Sequence, residues 1–95
     1  MNKVAPIHPG EHLAEFIEEF GITKYRLARL THMNPQRIGA IVSGQSAITA
    51  NTAMRLGKVF GTTAQFWMNL QTRYDLEVAE ISHADDIEAI ERLAA

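Results

Sequence analysis

Thr23 to Gly44 reads TKYRLARLTHMNPQRIGAIVSG, and the fold turns on how this stretch is punctuated. Thr23 is a good helix N-cap, because its hydroxyl can accept from an otherwise orphaned amide of the first turn. Leu27, Ala28 and Leu30 then fall close together on one apolar face. Thr31, His32 and Met33 form a tight break. Asn34 followed by Pro35 restarts a helix: Asn caps, and a proline at the first helical position gives up an amide that had no partner there. Ile38, Ile41 and Val42 supply the second apolar side, and Gly44 is a natural stop.

Two short helices joined by so brief a turn must cross steeply, which is the helix-turn-helix arrangement, residues 23–44, whose second helix lies in the DNA major groove. Small Ala28 belongs at the closest approach, with Ile38 filling the space between the helices. Gln36 and Arg37 then project from the first turn of the second helix, where base edges are read; Gln pairs bidentately with adenine and Arg with guanine. The plainer alternative is a helical hairpin with polar residues on its wet side, but caps, turn length and apolar spacing all agree with the first reading. His32 stands where such turns often hold glycine and is expected to take a left-handed conformation, which His tolerates better than most residues.

Ninety-five residues, 46% of them hydrophobic, suffice for one domain and one core. The chain has no cysteine, so neither a disulfide framework nor thiolate chemistry is open to it. With no long apolar run near the amino terminus, neither a signal peptide nor a membrane span is expected, and the cytoplasm is the expected compartment. A net charge of -2 argues against a nucleic-acid partner only until its distribution is read. Seven basic residues (Lys24, Arg26, Arg29, Arg37, Arg55, Lys58, Arg73) and no acidic one lie between Phe20 and Tyr74. Four acids precede that window and seven follow it. A basic centre between acidic ends suits a module that meets phosphates in one place.

The expected architecture is all-α: a single domain over 1–95, with an arm at 1–8, a five-helix core at 9–81 and an acidic amphipathic tail at 82–95. Leu13, Phe16, Ile17 and Phe20 place a helix on Glu11 to Phe20, stopped by Gly21. Its glutamates, Glu11, Glu15, Glu18 and Glu19, read as a solvated face. Thr49 caps a fourth helix with Ala53, Leu56, Val59 and Phe60 inward and Gly57 kept for close packing, ending at Gly61. Thr62 with Gln65 reads as a capping box for the fifth. That helix carries Phe66, Trp67, Leu70, Tyr74, Leu76 and Val78, more apolar surface than one packing face requires. Core aromatics account for part of it; packing on a second copy accounts for the excess, since helix-turn-helix proteins commonly read two half-sites as dimers. Ser82 and Asp85 are candidate caps for a last short helix bearing Ile87, Ile90 and Leu93.

Residues that could carry catalysis do not assemble into a motif. His8 and His12 are separated by Pro9 and Gly10 without the HExxH pattern of a zinc helix. There is no glycine-rich phosphate loop, and Ser43, Ser46 and Ser82 have no His and acid partners at motif spacing. Asp85 and Asp86 suit a helix amino terminus better than an acid/base pair. No enzyme, metal or cofactor is expected.

From His8 to about Glu77 the chain resembles the HigA family of antitoxins, which carry a helix-turn-helix of the phage-repressor (Xre/Cro) type. The resemblance rests on HPGE (His8 to Glu11), YRLA (Tyr25 to Ala28), PQRI (Pro35 to Ile38), SGQSAIT (Ser43 to Thr49), the RL and VFGT of the fourth helix, and FWMNLQTRYDLE (Phe66 to Glu77), the most specific block. It implies an antitoxin that pairs with a small basic HigB-like toxin, typically a RelE-like ribonuclease, and represses its own operon as a dimer on double-stranded operator DNA. It further implies that Gln36 and Arg37 read bases, with Gly39 and Ala40 allowing close approach. Lys24, Tyr25, Arg26, Ser43, Gln45 and Ser46 would then meet phosphate and fix register. A stand-alone Xre-type regulator without a toxin, and an interaction module that has lost DNA binding, are the alternatives.

Overall fold

The computed structural model describes residues 5–94, which form five helices and, among the described residues, no strand. They are α1 (Pro9–Glu19), α2 (Lys24–Thr31), α3 (Pro35–Val42), α4 (Ala50–Phe60) and α5 (Ala64–Glu88). The first four are short and would not persist alone; end chemistry and a shared core hold them. Each amino terminus has its donor group met by the preceding side chain: Thr23 Oγ1 accepts from Arg26 N–H, Asn34 Oδ1 from Gln36 N–H, and Thr49 Oγ1 from Thr52 N–H. His8 caps α1 through Nδ1, which accepts from Gly10 N–H at 2.8 Å. The carboxyl ends of α1, α2 and α3 close in the same way. Ile22, Met33 and Gln45 N–H reach back to the carbonyls of Ile17, Ala28 and Ala40, with Gly21, His32 and Gly44 left-handed between. His32 holds φ 57 and ψ 42, as its place in the turn requires.

The core lies where α1, α2, α3 and α4 meet the first two turns of α5. Leu13, Leu27, Ile38, Ile41, Ala53, Leu56 and Trp67 are fully buried there, with Ile17, Ala28, Ile48 and Phe60 close to it. Phe16 touches the rings of Phe20, Phe60, Phe66 and Trp67 at centroid distances of 4.9–6.2 Å, binding α1 to the α4–α5 corner. Two glycines mark close backbone approaches. A Cβ on Gly10 would collide with the Ile41 carbonyl oxygen, so α1 meets the end of α3 only because position 10 is glycine. A Cβ on Gly57 would lie 3.1 Å from backbone atoms of Thr62, Thr63 and Ala64, which cannot move aside cheaply.

Three sequence readings change here. Leu30 is not on the buried face: it is 49% exposed and, with Met54, walls a surface groove of about 450 Å³ between α2 and α4. Helix α2 uses Leu27, Ala28 and Thr31 inward, and eight residues leave no room for a wider stripe. The cap of α5 is Thr63, whose Oγ1 accepts from Phe66 N–H, while Thr62 Oγ1 accepts from Trp67 Nε1 at 2.8 Å. As expected of the chain beyond Ser82, a last short helical segment follows: α5 is two helices meeting at a kink at His83 (φ -129, ψ 21), and the second runs to Glu88. The boundary expected at 82 lies beside that kink. Finally Trp67 is a core residue, fully buried, and is unavailable to a partner surface.

After Gln71 no residue of α5 is buried, and the helix runs out from the core. The principal extents are 51 × 28 × 21 Å and the radius of gyration is 16.2 Å, against about 12 Å for a compact chain of this length.

Candidate nucleic-acid interface

Pro35 and Gln36 are exposed in the first turn of α3, and Asn34, which precedes them, borders the same surface. Because Asn34 Oδ1 takes the Gln36 amide N–H at 2.8 Å, the backbone there is fixed while the Gln36 carboxamide is left to solvent. On the opposite side of α3, Ile38 and Ile41 are fully buried. The helix is thus clamped along one face with its amino-terminal turn presented outward, the posture of a recognition helix.

Arg37 departs from expectation. It does not stand out beside Gln36 but lies half-buried along the segment that follows α3, with Nη2 donating to the Ala47 carbonyl at 3.4 Å. Its Nε is buried without a partner. The bond is long, and an arginine has four further donors. Gly39 and Ala40 are half-buried, and a Cβ on Gly39 would meet nothing within 4 Å. Nothing inside the chain therefore requires glycine at 39.

The positions expected to meet phosphate lie at two places. Lys24, Tyr25 and Arg26 are exposed in the first turn of α2, Tyr25 at 62%. Ser43, Gln45 and Ser46 flank the end of α3. There the Gln45 and Ser46 amides both donate to Ala40 O, and Ser43 Oγ donates to the same carbonyl. This segment can therefore offer Gln45 and Ser46 side chains but not those backbone amides.

Not all seven central cations face outward in the same way. Arg55 is a brace: Nη1 donates to Thr31 O at 2.8 Å and His32 O at 3.3 Å, and Nε to Asn51 Oδ1 at 2.7 Å. It ties α4 to the carbonyls at the end of α2, a role that spacing along the sequence does not announce. Arg73 pairs with Glu77 at 3.8 Å on the surface of α5. Lys24, Arg26, Arg29 and Lys58 remain as exposed cations. Among the described residues no group of three or more His, Cys, Asp or Glu is placed to hold a metal ion. No described helix is long and apolar enough to cross a membrane.

With this geometry in view, the chain matches the helix-turn-helix family over residues 13–67. Antitoxin HigA-1 of Vibrio cholerae is 35% identical over 75 residues, covering 78% of this chain and 70% of that protein. The chain belongs to the HigA family of helix-turn-helix antitoxins. Virulence-associated protein I of Dichelobacter nodosus is 48% identical over 80 residues, 83% of this chain and 74% of that one. The solved structure of Pseudomonas aeruginosa antitoxin HigA with the higBA promoter superposes with a TM-score of 0.88 at 46% identity, covering 93% of this chain and 98% of that one. The HPGE block is accounted for by the structure: His8 caps, Pro9 fills the first turn, and Gly10 lets α1 reach Ile41. The helix-turn-helix match ends at Trp67, the last fully buried hydrophobic residue, so the projecting part of α5 lies beyond it.

Of the six residues expected to face a second copy, the fold takes back more than one. Besides Trp67, Leu70 packs against the core and Tyr74 is half-buried with its ring edge on His8 at 4.9 Å. Phe66 (37% exposed), Leu76 (65%) and Val78 (36%) stay open. Further along α5, Ile81 and Ile87 are 60% and 56% exposed. Leu76, Ala79, Ala84 and Ile87 line one shallow groove with Glu80 and Glu88, on both sides of the kink at His83.

Proposed function

We propose that this chain is the antitoxin of a HigBA-type pair, which holds a small basic RelE-like toxin and, as a dimer, represses its own operon by placing α3 in the operator major groove. The observation that carries this reading is the outward amino-terminal turn of α3, with the cations of α2 on the helix that crosses the backbone, in a chain whose relative is solved on promoter DNA. Gln36 reads a base edge, and Arg37 does so after leaving the Ala47 carbonyl, which a single 3.4 Å bond does little to prevent. Gly39 and Ala40 admit the groove wall. Lys24, Tyr25, Arg26, Ser43, Gln45 and Ser46 hold phosphate and set register. The second copy is met along α5, through Leu76 and Val78 and onward to Ile81 and Ile87 in place of Trp67. The family is one of regulators and not of catalysts.

The test is co-expression of the chain with the open reading frame adjacent to its gene, with a reporter driven by the DNA upstream of the pair. The chain should restore growth and lower reporter output. Arg37→Ala should still restore growth while derepressing the reporter. Repression without any toxic neighbour would make the protein a stand-alone regulator, and loss of both activities by Arg37→Ala in a folded protein would contradict separate toxin and DNA surfaces.

A further inference from the structure

Residues 45–49, between the recognition helix and α4, carry Gln45 and Ser46 and provide the carbonyl on which Arg37 rests. Their placement is governed from an unexpected distance. Ile48 is 2% exposed, and its amide N–H donates to Gln71 Oε1 at 2.7 Å across 23 residues of chain. Gln71 belongs to α5 and is itself 5% exposed. Its Nε2 donates in turn to Asp75 Oδ1, one turn on, at 2.9 Å. A carboxamide can donate only through nitrogen and accept only through oxygen. The Asp75 carboxylate therefore fixes which end of Gln71 faces Ile48, and only the oxygen end satisfies an N–H. Asp75 sits on the surface between Tyr74 and Leu76, where α5 leaves the core.

We propose that Gln71, oriented by Asp75, is the positioning residue that sets the DNA-facing segment 45–49 from α5, so that the helix that meets a second copy also fixes the register of the phosphate-binding side chains. This rests on the operator-binding reading above and adds to it the residue that links the two surfaces. Apolar contact alone would bury Ile48 but would leave its N–H unsatisfied and its segment free to slide; the Gln71 carboxamide removes that freedom. Gln45 and Ser46 lie three and two residues from the anchored amide, close enough to inherit its position.

The test compares the full chain with Gln71→Met, Asp75→Ala and Asp75→Asn in two measurements. One is the hydrogen-exchange rate of the Ile48 amide; the other is the titration of the DNA upstream of its gene at several salt concentrations. Gln71→Met should speed Ile48 exchange at least tenfold relative to the other core amides. It should also weaken binding about tenfold while leaving the salt slope unchanged, because Gln45 and Ser46 carry no charge and their phosphate contacts release no counterion. Asp75→Ala should follow in the same direction, and Asp75→Asn, which keeps an acceptor, should stay near the wild type. A Gln71→Met protein that melts lower yet binds with the wild-type affinity overturns the proposal, because the bond is then only structural. Should Gln71→Met misfold, equal behaviour of Asp75→Ala and Asp75→Asn overturns it as well. Failure of the wild-type chain to bind that DNA refutes the operator reading instead, and is seen before any variant is made.

Discussion

Gly10 and Gly39 are the same residue type in helices held for opposite reasons. At Gly10 the constraint is internal, since any side chain meets the Ile41 carbonyl. Gly10→Ala should therefore lower stability by about 1–3 kcal/mol, the range for overpacking a well-filled site, read as a lower midpoint in urea. At Gly39 the chain itself leaves open space. Gly39→Ala should raise stability by up to about 1 kcal/mol through helix propensity, and yet weaken DNA binding, because the added methyl stands between α3 and the groove. A variant that is both more stable and equally tight on DNA would show that α3 does not approach so closely. The residues most legible in the sequence are those whose task is local. Thr23, Asn34, Thr49 and His32 act on their own turn, so spacing reveals them. Arg37, Arg55 and Gln71 act across 10, 24 and 23 residues of chain, and no periodicity signals such reach.

At the scale of helices, α2, α3 and α4 are legible because each is bounded by a side-chain cap and a left-handed or glycine stop. Helix α5 is not, since its apolar residues serve two ends. Trp67 and Leu70 pack on the core, whereas Leu76, Ile81 and Ile87 face water. A sequence that is apolar on several sides reads as one helix with surplus surface, and only the fold shows where burial stops, at Gln71. The brace from Arg55 to the end of α2 gives a prediction at this scale. Arg55→Ala leaves the Thr31 and His32 carbonyls without their charged donor and should cost about 1.5–3 kcal/mol, the range for a hydrogen bond to a charged group. Arg55→Lys should recover only part of it, because an ammonium cannot span Asn51 and both carbonyls with the same fork. A full recovery would mean that charge alone is needed there.

For the whole molecule, a 51 Å chain with an exposed apolar stripe on its projecting helix is poorly suited to remain alone. Light scattering at micromolar concentration should give twice the mass of the chain, and Leu76→Glu with Ile87→Glu should halve it while leaving the core melting unchanged. Persistence of a monomer in the wild type would remove α5 as the dimer surface. If α3 reads bases while α2 holds the backbone, salt-dependent titration of the upstream DNA and its single-base variants separates the two roles. Gln36→Ala should cost about 1–3 kcal/mol on the cognate sequence, relax preference at one base position and leave the salt slope intact. Arg37→Ala should do likewise at a neighbouring position. Lys24→Ala should weaken cognate and random DNA alike and lower the slope by about 0.9 for each phosphate that goes unneutralised. If Gln36→Ala and Arg37→Ala weaken every sequence equally, and Arg37→Ala lowers the slope as Lys24→Ala does, the first turn of α3 grips phosphate, and α3 is not the helix that reads the operator.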